Sequence, residues 1–425
     1  MAYAPIYLKS YRIPRGCIMW YGDQFIDTVL LDDDDGLELY LRLSKSQLSS
    51  NSTKSPRKTI IIATVVPGVI IISLFGIFVF IRKNKRRLKQ ETSNTDDGKW
   101  KDEVHLFDFP TIAFATNNFS SDNIIGKGGF GVVYKGKIKD GEEIAVKRFS
   151  KASEHRFEDL LNQVVLVAKL QHKNLLQLLG CCIERNERIL VYEFMKNASL
   201  DTFIFGEKKH LLVWQKRVEI IIGIAKGLLY LHQDSRLKII HRDLKPSNIL
   251  LDEMMNPKIS DFDTARLFQA EQLEENTNRI IGTFGYMPPE YVINGTFSLK
   301  SDVFSFGVLL LEIISGMKNQ MCYENMDDVN FLGWAWRVCK EGNILMLVDE
   351  SLSGSCSVPQ VSRFIKIGLL CVQNRAFDRP TMSEVFLMLS NDSWIIKDAK
   401  KPPFCEASSK FTNDSMSFSK YQYIK

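Results

Sequence analysis

One octet decides how this chain is interpreted: His241-Arg242-Asp243-Leu244-Lys245-Pro246-Ser247-Asn248. Asp243 can accept a proton from a substrate hydroxyl, Lys245 can neutralise a phosphate, and Asn248 can offer an amide oxygen to a hard cation such as Mg2+. A bare His-Arg-Asp would be an ordinary basic surface turn, but the full octet contains the groups that phosphoryl transfer requires. The apolar residues 249–251 predict a short buried strand that fixes this loop from its C-terminal side.

The composition of the chain is that of a globular protein with a membrane segment. Its 425 residues, 45% hydrophobic and 25% charged, suffice for two or three domains. The net charge of +5 does not indicate nucleic-acid binding, because six cations fall within residues 82–89. That basic run follows residues 59–81, which are 23 residues without a charge. Such a length spans a hydrocarbon core of about 30 Å.

We therefore predict a transmembrane helix at residues 59–81, with a buried core helix as the alternative that Pro67-Gly68 favours. The positive-inside rule then places the basic juxtamembrane segment, residues 82–118, and all that follows in the cytoplasm. Residues 1–58 lack the features of a secretory signal, so their export would depend on the membrane segment itself.

A glycine-rich motif begins at Gly126, where the sequence is Gly-Lys-Gly-Gly-Phe-Gly-Val-Val. Side chains at these glycines would keep backbone amides away from phosphates. In a dinucleotide fold the glycines would open a helix, whereas residues 132–135 continue as a strand. We therefore expect a strand–turn–strand that covers ATP with Gly126, Lys127, Gly128, Gly129, Phe130, Gly131 and Val133.

The next strand is predicted at residues 144–147, Ile-Ala-Val-Lys. Its small and branched residues, Ala145 among them, suit an adenine-facing surface, and Lys147 can hold the α and β phosphates. Apolar residues at helical spacing then predict an amphipathic helix over residues 157–170, packed beside Lys147.

From Gly126 to about Ser390 these motifs resemble the protein kinase family, and within it the plant receptor-like kinases related to the interleukin-receptor-associated kinases. The resemblance implies an α+β, two-lobed fold with a small, mainly β N-lobe at residues 119–195 and a larger, mainly α C-lobe at residues 196–392. A flexible tail would occupy residues 393–425. The implied cofactors are ATP and Mg2+, and the implied reaction transfers the γ-phosphoryl group to serine or threonine of protein substrates.

The resemblance also assigns roles to single residues. Asp243 would orient or deprotonate the hydroxyl, Lys245 and Lys147 would stabilise phosphate charge, and Asn248 and Asp261 would hold Mg2+. The backbone of Glu193 and Met195 would bind adenine, beside Tyr192 as gatekeeper. An ion pair between Glu290 and Arg379, and a contact of Asp302 with the catalytic loop, are implied as well.

Residues 1–58 resemble the end of the apple-like (PAN) domain of plant S-domain receptor-like kinases. The resemblance rests on the sequence of residues 15–23 and on the strand-like alternation of residues 36–43. This implies receptor-type signalling at the plasma membrane, with other receptor kinases as partners. The lectin modules of that family have no counterpart in these residues, so we do not expect carbohydrate recognition.

Two positions depart from the family pattern. Gln163 stands where the family has a glutamate for Lys147, which forfeits a charge-assisted hydrogen bond worth about 1–2 kcal/mol; Asp159, one turn earlier, is a conceivable substitute. Asp263 replaces the glycine of Asp-Phe-Gly, at a cost of roughly 1–3 kcal/mol if its φ must be positive. Its carboxylate would also compete for the metal or repel phosphates, so we expect slower switching or reduced turnover.

The segment between Asp261 and Glu290 carries candidate regulatory hydroxyls. We expect a phosphate at Thr277 to pair with Arg242 and order the segment. Thr283 is expected to contact Asp243 and Lys245.

Two other functional classes compete with the kinase. A pseudokinase scaffold that binds nucleotide or partner kinases with little turnover is the alternative that Gln163 and Asp263 favour. A receptor that acts only by lectin binding lacks its binding module. Because the base and both metal ligands are present, we favour the enzyme.

Overall fold

The computed structural model describes residues 104–403 apart from residues 130, 151–163, 165, 185–186, 269–273, 320–329 and 353, together with the backbone of three strands near the N-terminus. The chain forms two compact units, residues 1–94 and 95–425. In the first unit, β1 (Ala2–Leu8), β2 (Tyr11–Trp20) and β3 (Tyr40–Leu41) form an antiparallel sheet in the order β2-β1-β3. Its assignment to an apple-like domain stays a prediction.

The predicted membrane segment, residues 59–81, lies outside the described residues. No helix in the described part of the chain combines the length and the apolar character that crossing a bilayer would require.

The second unit begins with a mainly β lobe. A short helix, α1, precedes a five-stranded antiparallel sheet in the order β4-β5-β6-β8-β7. The elements are α1 (Phe109–Ala115), β4 (Ile124–Gly128), β5 (Gly131–Lys137), β6 (Glu143–Phe149), β7 (Leu178–Glu184) and β8 (Glu187–Glu193). Alternate residues of β6, Ile144 and Val146, are fully buried, as the period of a strand requires. The predicted strand that carries Lys147 is therefore confirmed.

Helices dominate the rest of the unit. They are α2 (Asp201–Ile204), α3 (Trp214–Leu229), α4 (Pro289–Asn294), α5 (Leu299–Ser315), α6 (Phe331–Lys340), α7 (Val358–Cys371) and α8 (Met382–Ser390). Three two-stranded ladders join short strands, namely β9 (Lys238–Ile240) with β12 (Arg266–Phe268), β10 (Ile249–Leu251) with β11 (Pro257–Ile259), and β13 (Glu275–Asn276) with β14 (Thr296–Phe297). The α+β, two-lobed fold is confirmed for the described residues, and so is the buried strand after the octet.

The helix α5 runs through the core of the larger lobe. Its N-terminus is fixed by a capping box, in which Ser298 and Ser301 each bond the other's backbone N–H, and it ends at Gly316 with φ of 65°. Every residue from Ser301 to Ser315 is buried. A helix that is apolar nearly all round belongs in a core, and this one carries two fully buried acids, Asp302 and Glu312, to fixed places in it.

Two fully buried arginines of this lobe are paired with acids. The fully buried guanidinium of Arg379 forms two parallel bonds to Glu290, of 2.7 and 2.8 Å, so the predicted ion pair is confirmed. Arg217, also fully buried, donates to Asp349 Oδ2 at 2.8 Å and to the carbonyl of Ile313 at 2.8 Å. These pairs connect α3, α4 and α5 to the loops around them.

Glu312 is a buried acid without a basic partner at hydrogen-bond distance among the described residues. Its oxygens accept from the hydroxyl of Tyr286, at 2.9 Å, and from the backbone N–H of Asn319, at 2.9 Å. Burial raises the pKa of Glu312 from 4.5 to about 8, and the bonds from Asn319 and Tyr286 offset only part of that effect. The protonated acid is therefore the form that the fold favours near neutral pH.

We predict that Glu312→Gln flattens the pH dependence of stability. Because the folded pKa lies above the unfolded value, the contribution of Glu312 is fully present below pH 4.5 and is lost as the pH rises towards about 8. The variant should gain stability relative to the unmodified chain across that window, by an amount on the order of 5 kcal/mol at its upper end, at about 1.4 kcal/mol per pKa unit. Urea unfolding of the full chain at several pH values measures the gain.

The matched control is Glu253→Gln, since the Glu253 side chain is 72% exposed. It should leave the pH dependence as it is. An identical pH dependence in Glu312→Gln and in the unmodified chain would contradict the prediction.

Candidate active site

The octet is held to the core by one carboxylate. Asp302 Oδ2 accepts from the backbone N–H of His241 at 2.8 Å, and Oδ1 accepts from that of Arg242 at 2.9 Å. The ring of His232 lies 3.0 Å from Oδ2. Burial opposes ionisation of Asp302, but these donors outweigh it and lower its pKa. The predicted contact of Asp302 with the loop is therefore confirmed.

Asp302 supports a backbone that would otherwise be strained. Arg242 has φ of 66°, a region that a residue with a long side chain enters only when its surroundings fix it there. Its side chain is also fixed, since Nε donates to the carbonyl of Thr264 at 2.8 Å and the guanidinium lies 4.9 Å from the ring centroid of Phe297. The turn at Arg242 is thus held from both the backbone and the side chain.

His241 connects the octet to the segment Asp261-Phe262-Asp263 and its flanking residues. Its Nδ1 accepts from the N–H of Asp243 at 3.3 Å, which leaves Nε2 to donate to the carbonyl of Ser260 at 2.9 Å. Its ring meets that of Phe262 edge-on, with the centroids 5.1 Å apart. The hydroxyl of Thr264 donates to the carbonyl of His241 at 2.9 Å. Residues on both sides of Asp263 are therefore bound to the catalytic loop.

The proposed base, Asp243, has three polar neighbours. Its Oδ1 accepts from the hydroxyl of Thr283 at 2.6 Å, and its Oδ2 accepts from the amide of Asn248 at 3.0 Å and lies 3.0 Å from Nζ of Lys245. Lys245 also donates to the Thr283 hydroxyl at 2.7 Å. The predicted contact of Thr283 with Asp243 and Lys245 is present. A side-chain hydroxyl therefore lies against the carboxylate and the ammonium group at once.

The two expected metal ligands, Asn248 and Asp261, are brought to one end of the β10–β11 ladder. Both the N–H and the hydroxyl of Ser260, next to Asp261, donate to the carbonyl of Asn248 at 2.9 Å. The Asn248 amide nitrogen is directed to Asp243, so its oxygen is the atom available to a cation.

This donor set fits Mg2+. The metal is commonly held by one or two protein oxygen ligands together with substrate phosphates. No group of three or more His, Cys, Asp or Glu that would bind a metal on its own is found among the residues that the structure describes.

Lys147 lies between two carboxylates. Its Nζ is 2.8 Å from Asp261 Oδ1 and 2.5 Å from Asp263 Oδ2. Burial alone would lower the pKa of Lys147, but the charges of Asp261 and Asp263 outweigh it and raise the pKa, so the ammonium form is secured. The pKa of Asp261 is lowered, since Lys147 outweighs the effect of burial.

The expected strain at Asp263 is not found. Asp263 lies in the middle of a 3-10 turn, Phe262–Thr264, and is not among the residues with positive φ. The left-handed residue here is Asp261, with φ of 64°, and aspartate enters that region more readily than most residues. The side chain of Asp263 is 1% exposed, against 29% for Asp261. The acid at position 263 is therefore accommodated by an ion pair and without left-handed backbone.

The glycine motif forms the predicted hairpin. Gly126 pairs with Val133 and Gly128 with Gly131 across β4 and β5, and Phe130 lies outside the described residues. A Cβ at Gly131 would come within 2.2 Å of the Arg148 carbonyl, so glycine is needed there for the close approach of β5 to β6. Nothing lies within 4 Å of the Cβ position at Gly128, and Lys127, Gly128 and Gly129 are exposed. The tip of the hairpin is open to a phosphate chain.

The residues expected to contact adenine, Glu193 and Met195, lie at the end of β8 and just after it. The N–H of Glu193 already donates to Gln177, at 3.2 Å, and the carbonyl of Met195 accepts from Ala198, at 3.2 Å. Among the described residues the N–H of Met195 has no such partner and is the donor best placed to take a ligand. Ala145 and Met195 pack in one apolar cluster with Tyr192 and Leu250. An adenine ring would meet an apolar surface there.

Some expected site residues are not brought together. Gln163 and Asp159 lie outside the described residues. The Thr277 hydroxyl donates to the backbone carbonyl of Arg279 at 3.2 Å. Within the described residues no contact joins Thr277 to Arg242. Two contributors to the site do not follow from the sequence motifs: Thr264, which binds the Arg242 side chain, and Asp263, which pairs with Lys147. The Asp-Phe-Asp departure was the one signal that pointed to the second.

Comparison with known proteins agrees with this geometry. Residues 119–389 match the family described as protein tyrosine and serine/threonine kinase. The receptor-like serine/threonine-protein kinase SD1-7 of Arabidopsis thaliana is 46% identical over 95% of this chain and 51% of its own length. The G-type lectin S-receptor-like serine/threonine-protein kinase SRK of the same plant is 45% identical, with the same coverage.

The chain spans about half the length of these relatives. Their names confirm the resemblance to S-domain receptor-like kinases that the motifs predict. Because the family match covers well over half of the sequence and coincides with the two-lobed unit, the chain belongs to the protein tyrosine and serine/threonine kinase family.

Proposed function

We propose that this chain is a membrane-anchored serine/threonine protein kinase that transfers the γ-phosphoryl group of ATP to hydroxyls of protein substrates in receptor-type signalling. The observation that carries the proposal is the hydroxyl of Thr283, 2.6 Å from Asp243 and 2.7 Å from Lys245. A substrate serine or threonine hydroxyl placed there would face a base and a cation in the same way. The names of the relatives, receptor-like serine/threonine-protein kinases, support the substrate class.

Each site residue has its own role in the proposed phosphoryl transfer. Asp243 orients the substrate hydroxyl and accepts its proton, while Lys245 neutralises charge that develops on the transferred phosphoryl group. Lys147 fixes the phosphates of the nucleotide, and the open tip at Gly128 lets backbone amides approach them. Asn248 and Asp261 would hold Mg2+, whose charge stabilises the phosphate oxygens.

Membrane anchoring rests on the hydropathy of residues 59–81 and on the basic run that follows. Plasma-membrane localisation with a cytoplasmic kinase unit, and other receptor kinases as partners, are part of the proposal.

We predict that Asp243→Asn lowers phosphate transfer to a serine-containing substrate by about 10²–10⁴-fold, the usual contribution of a positioned general base. The full chain is assayed with radiolabelled Mg-ATP, and chelation of Mg2+ should stop the transfer. Asp140→Asn, which changes an exposed acid of the β5–β6 turn in the same way, is the control and should leave the rate unchanged. Background transfer by the unmodified chain would instead favour a scaffold without turnover.

We also propose that a phosphate on Thr277 regulates the site. Thr277 directly follows β13, which pairs with β14, and Phe297 of β14 packs against the Arg242 guanidinium. An added phosphate next to this strand would find a cation beside the catalytic loop.

Thr277→Ala should therefore lower transfer by the phosphorylated protein about tenfold or more, since charge-assisted hydrogen bonds are worth about 1.5–3 kcal/mol each. It should also speed proteolytic cleavage between Asp261 and Glu290. Thr202→Ala, at an exposed threonine of α2, serves as the control. Unchanged activity and unchanged cleavage in Thr277→Ala would exclude this regulation.

A further inference from the structure

The pairing of Lys147 with Asp263 indicates a role for an acid that the family pattern does not contain. Among the described residues two carboxylates contact Lys147, and Asp263 Oδ2 is the nearer, at 2.5 Å, with its side chain 1% exposed. The Asp261 side chain is 29% exposed and lies 2.8 Å from Lys147. The buried acid is thus the one that solvent screens least.

The two acids also differ in what else they must do. Asp261 is the proposed Mg2+ ligand, and a carboxylate that binds a divalent cation has less negative charge to offer a lysine. Asp263 has no role in holding the metal in the proposed mechanism. Its bond to Lys147 therefore matters most when the nucleotide and the metal are in place.

The backbone around Asp263 is fixed to the catalytic loop. The preceding residue, Phe262, is 2% exposed and packs against the His241 ring. The following residue, Thr264, is bonded both to the carbonyl of His241 and to the side chain of Arg242. Asp263 therefore lies between two residues that are bound to the catalytic loop, and its φ is outside the left-handed region. Its carboxylate contacts Lys147 from a backbone that these neighbours fix.

The sequence explains why such an acid is needed. Position 163, where the family pattern has a glutamate for Lys147, carries glutamine, which has no carboxylate. We propose that Asp263 is the positioning residue for Lys147 and supplies, from the segment that follows the catalytic loop, the buried carboxylate that position 163 lacks. The expected effect of Asp263 on turnover rests on the proposed kinase function. Its expected effect on the position of Lys147 rests only on the contact between the two side chains.

The test uses the full chain and four variants: Asp263→Asn, Asp263→Gly, Gln163→Glu, and the double variant Gln163→Glu/Asp263→Gly. Loss of a charge-assisted bond should lower kcat/KM for ATP about ten- to a hundredfold in Asp263→Asn and Asp263→Gly. Gln163→Glu should restore most of that loss in the Asp263→Gly background and gain little on its own. Such dependence of one substitution on the other is what a shared partner predicts.

A second readout does not need catalysis. Acetic anhydride acylates unprotonated lysine, and mass spectrometry measures the labelling rate of Lys147. Because the bond to Asp263 Oδ2 holds Nζ of Lys147 in a fixed position, where the side chain is only 15% exposed, its loss in Asp263→Asn should free the amine and speed the labelling, and Gln163→Glu should slow the labelling again in the Asp263→Gly background. Asp140→Asn is the control for both readouts.

The outcomes are distinct. If the unmodified chain transfers phosphate above background, transfer by Asp263→Gly that equals or exceeds it would overturn the proposal, and a higher rate would identify Asp263 as a brake on Lys147. Unchanged labelling of Lys147 in Asp263→Asn would overturn it as well. Background transfer in every variant, with faster labelling in Asp263→Asn and its reversal by Gln163→Glu, would refute the proposed kinase function and leave the role of Asp263 standing.

Discussion

The structure of the site depends on a carboxylate in the middle of the core. Asp302, on α5 and fully buried, accepts from two successive backbone N–H groups of the catalytic loop and contacts the ring of His232. An unpaired charge there would cost several kcal/mol, so the loop and the acid stabilise each other. The left-handed turn at Arg242 persists because this acceptor holds it, and the turn in turn sets the direction in which Asp243 leaves the loop.

From that point a continuous set of bonds reaches the other lobe. His241 and Arg242 are both bound to Thr264, and the His241 ring packs against Phe262. The acid between Phe262 and Thr264, Asp263, pairs with Lys147 of β6. A lysine in one lobe is thereby positioned by the same loop that carries the base. This arrangement accounts for a chain that has glutamine at position 163 and still places Lys147 beside the proposed metal ligand Asp261, at 2.8 Å.

The sequence predicts those features of the structure that are encoded within a few neighbouring residues. The octet, the glycine hairpin and the strand with Lys147 are each encoded within a few residues, and the family resemblance added the Glu290–Arg379 pair. The contact of Lys147 with Asp263 joins residues 116 positions apart, and no local pattern fixes which rotamer an acid adopts across that gap. The cost expected for Asp263 depended on its φ, and the 3-10 turn that sets this angle is formed by tertiary contacts of Phe262 and Thr264.

The most direct test of this account is the turnover of Asp302→Asn in the full chain, measured below its unfolding temperature. An amide can accept one of the two backbone N–H groups but turns its own N–H2 towards the other, so the loop must shift. Since misplacement by about 1 Å can cost about 10²-fold, kcat should fall by that order. An unchanged kcat in a folded Asp302→Asn protein would contradict the account.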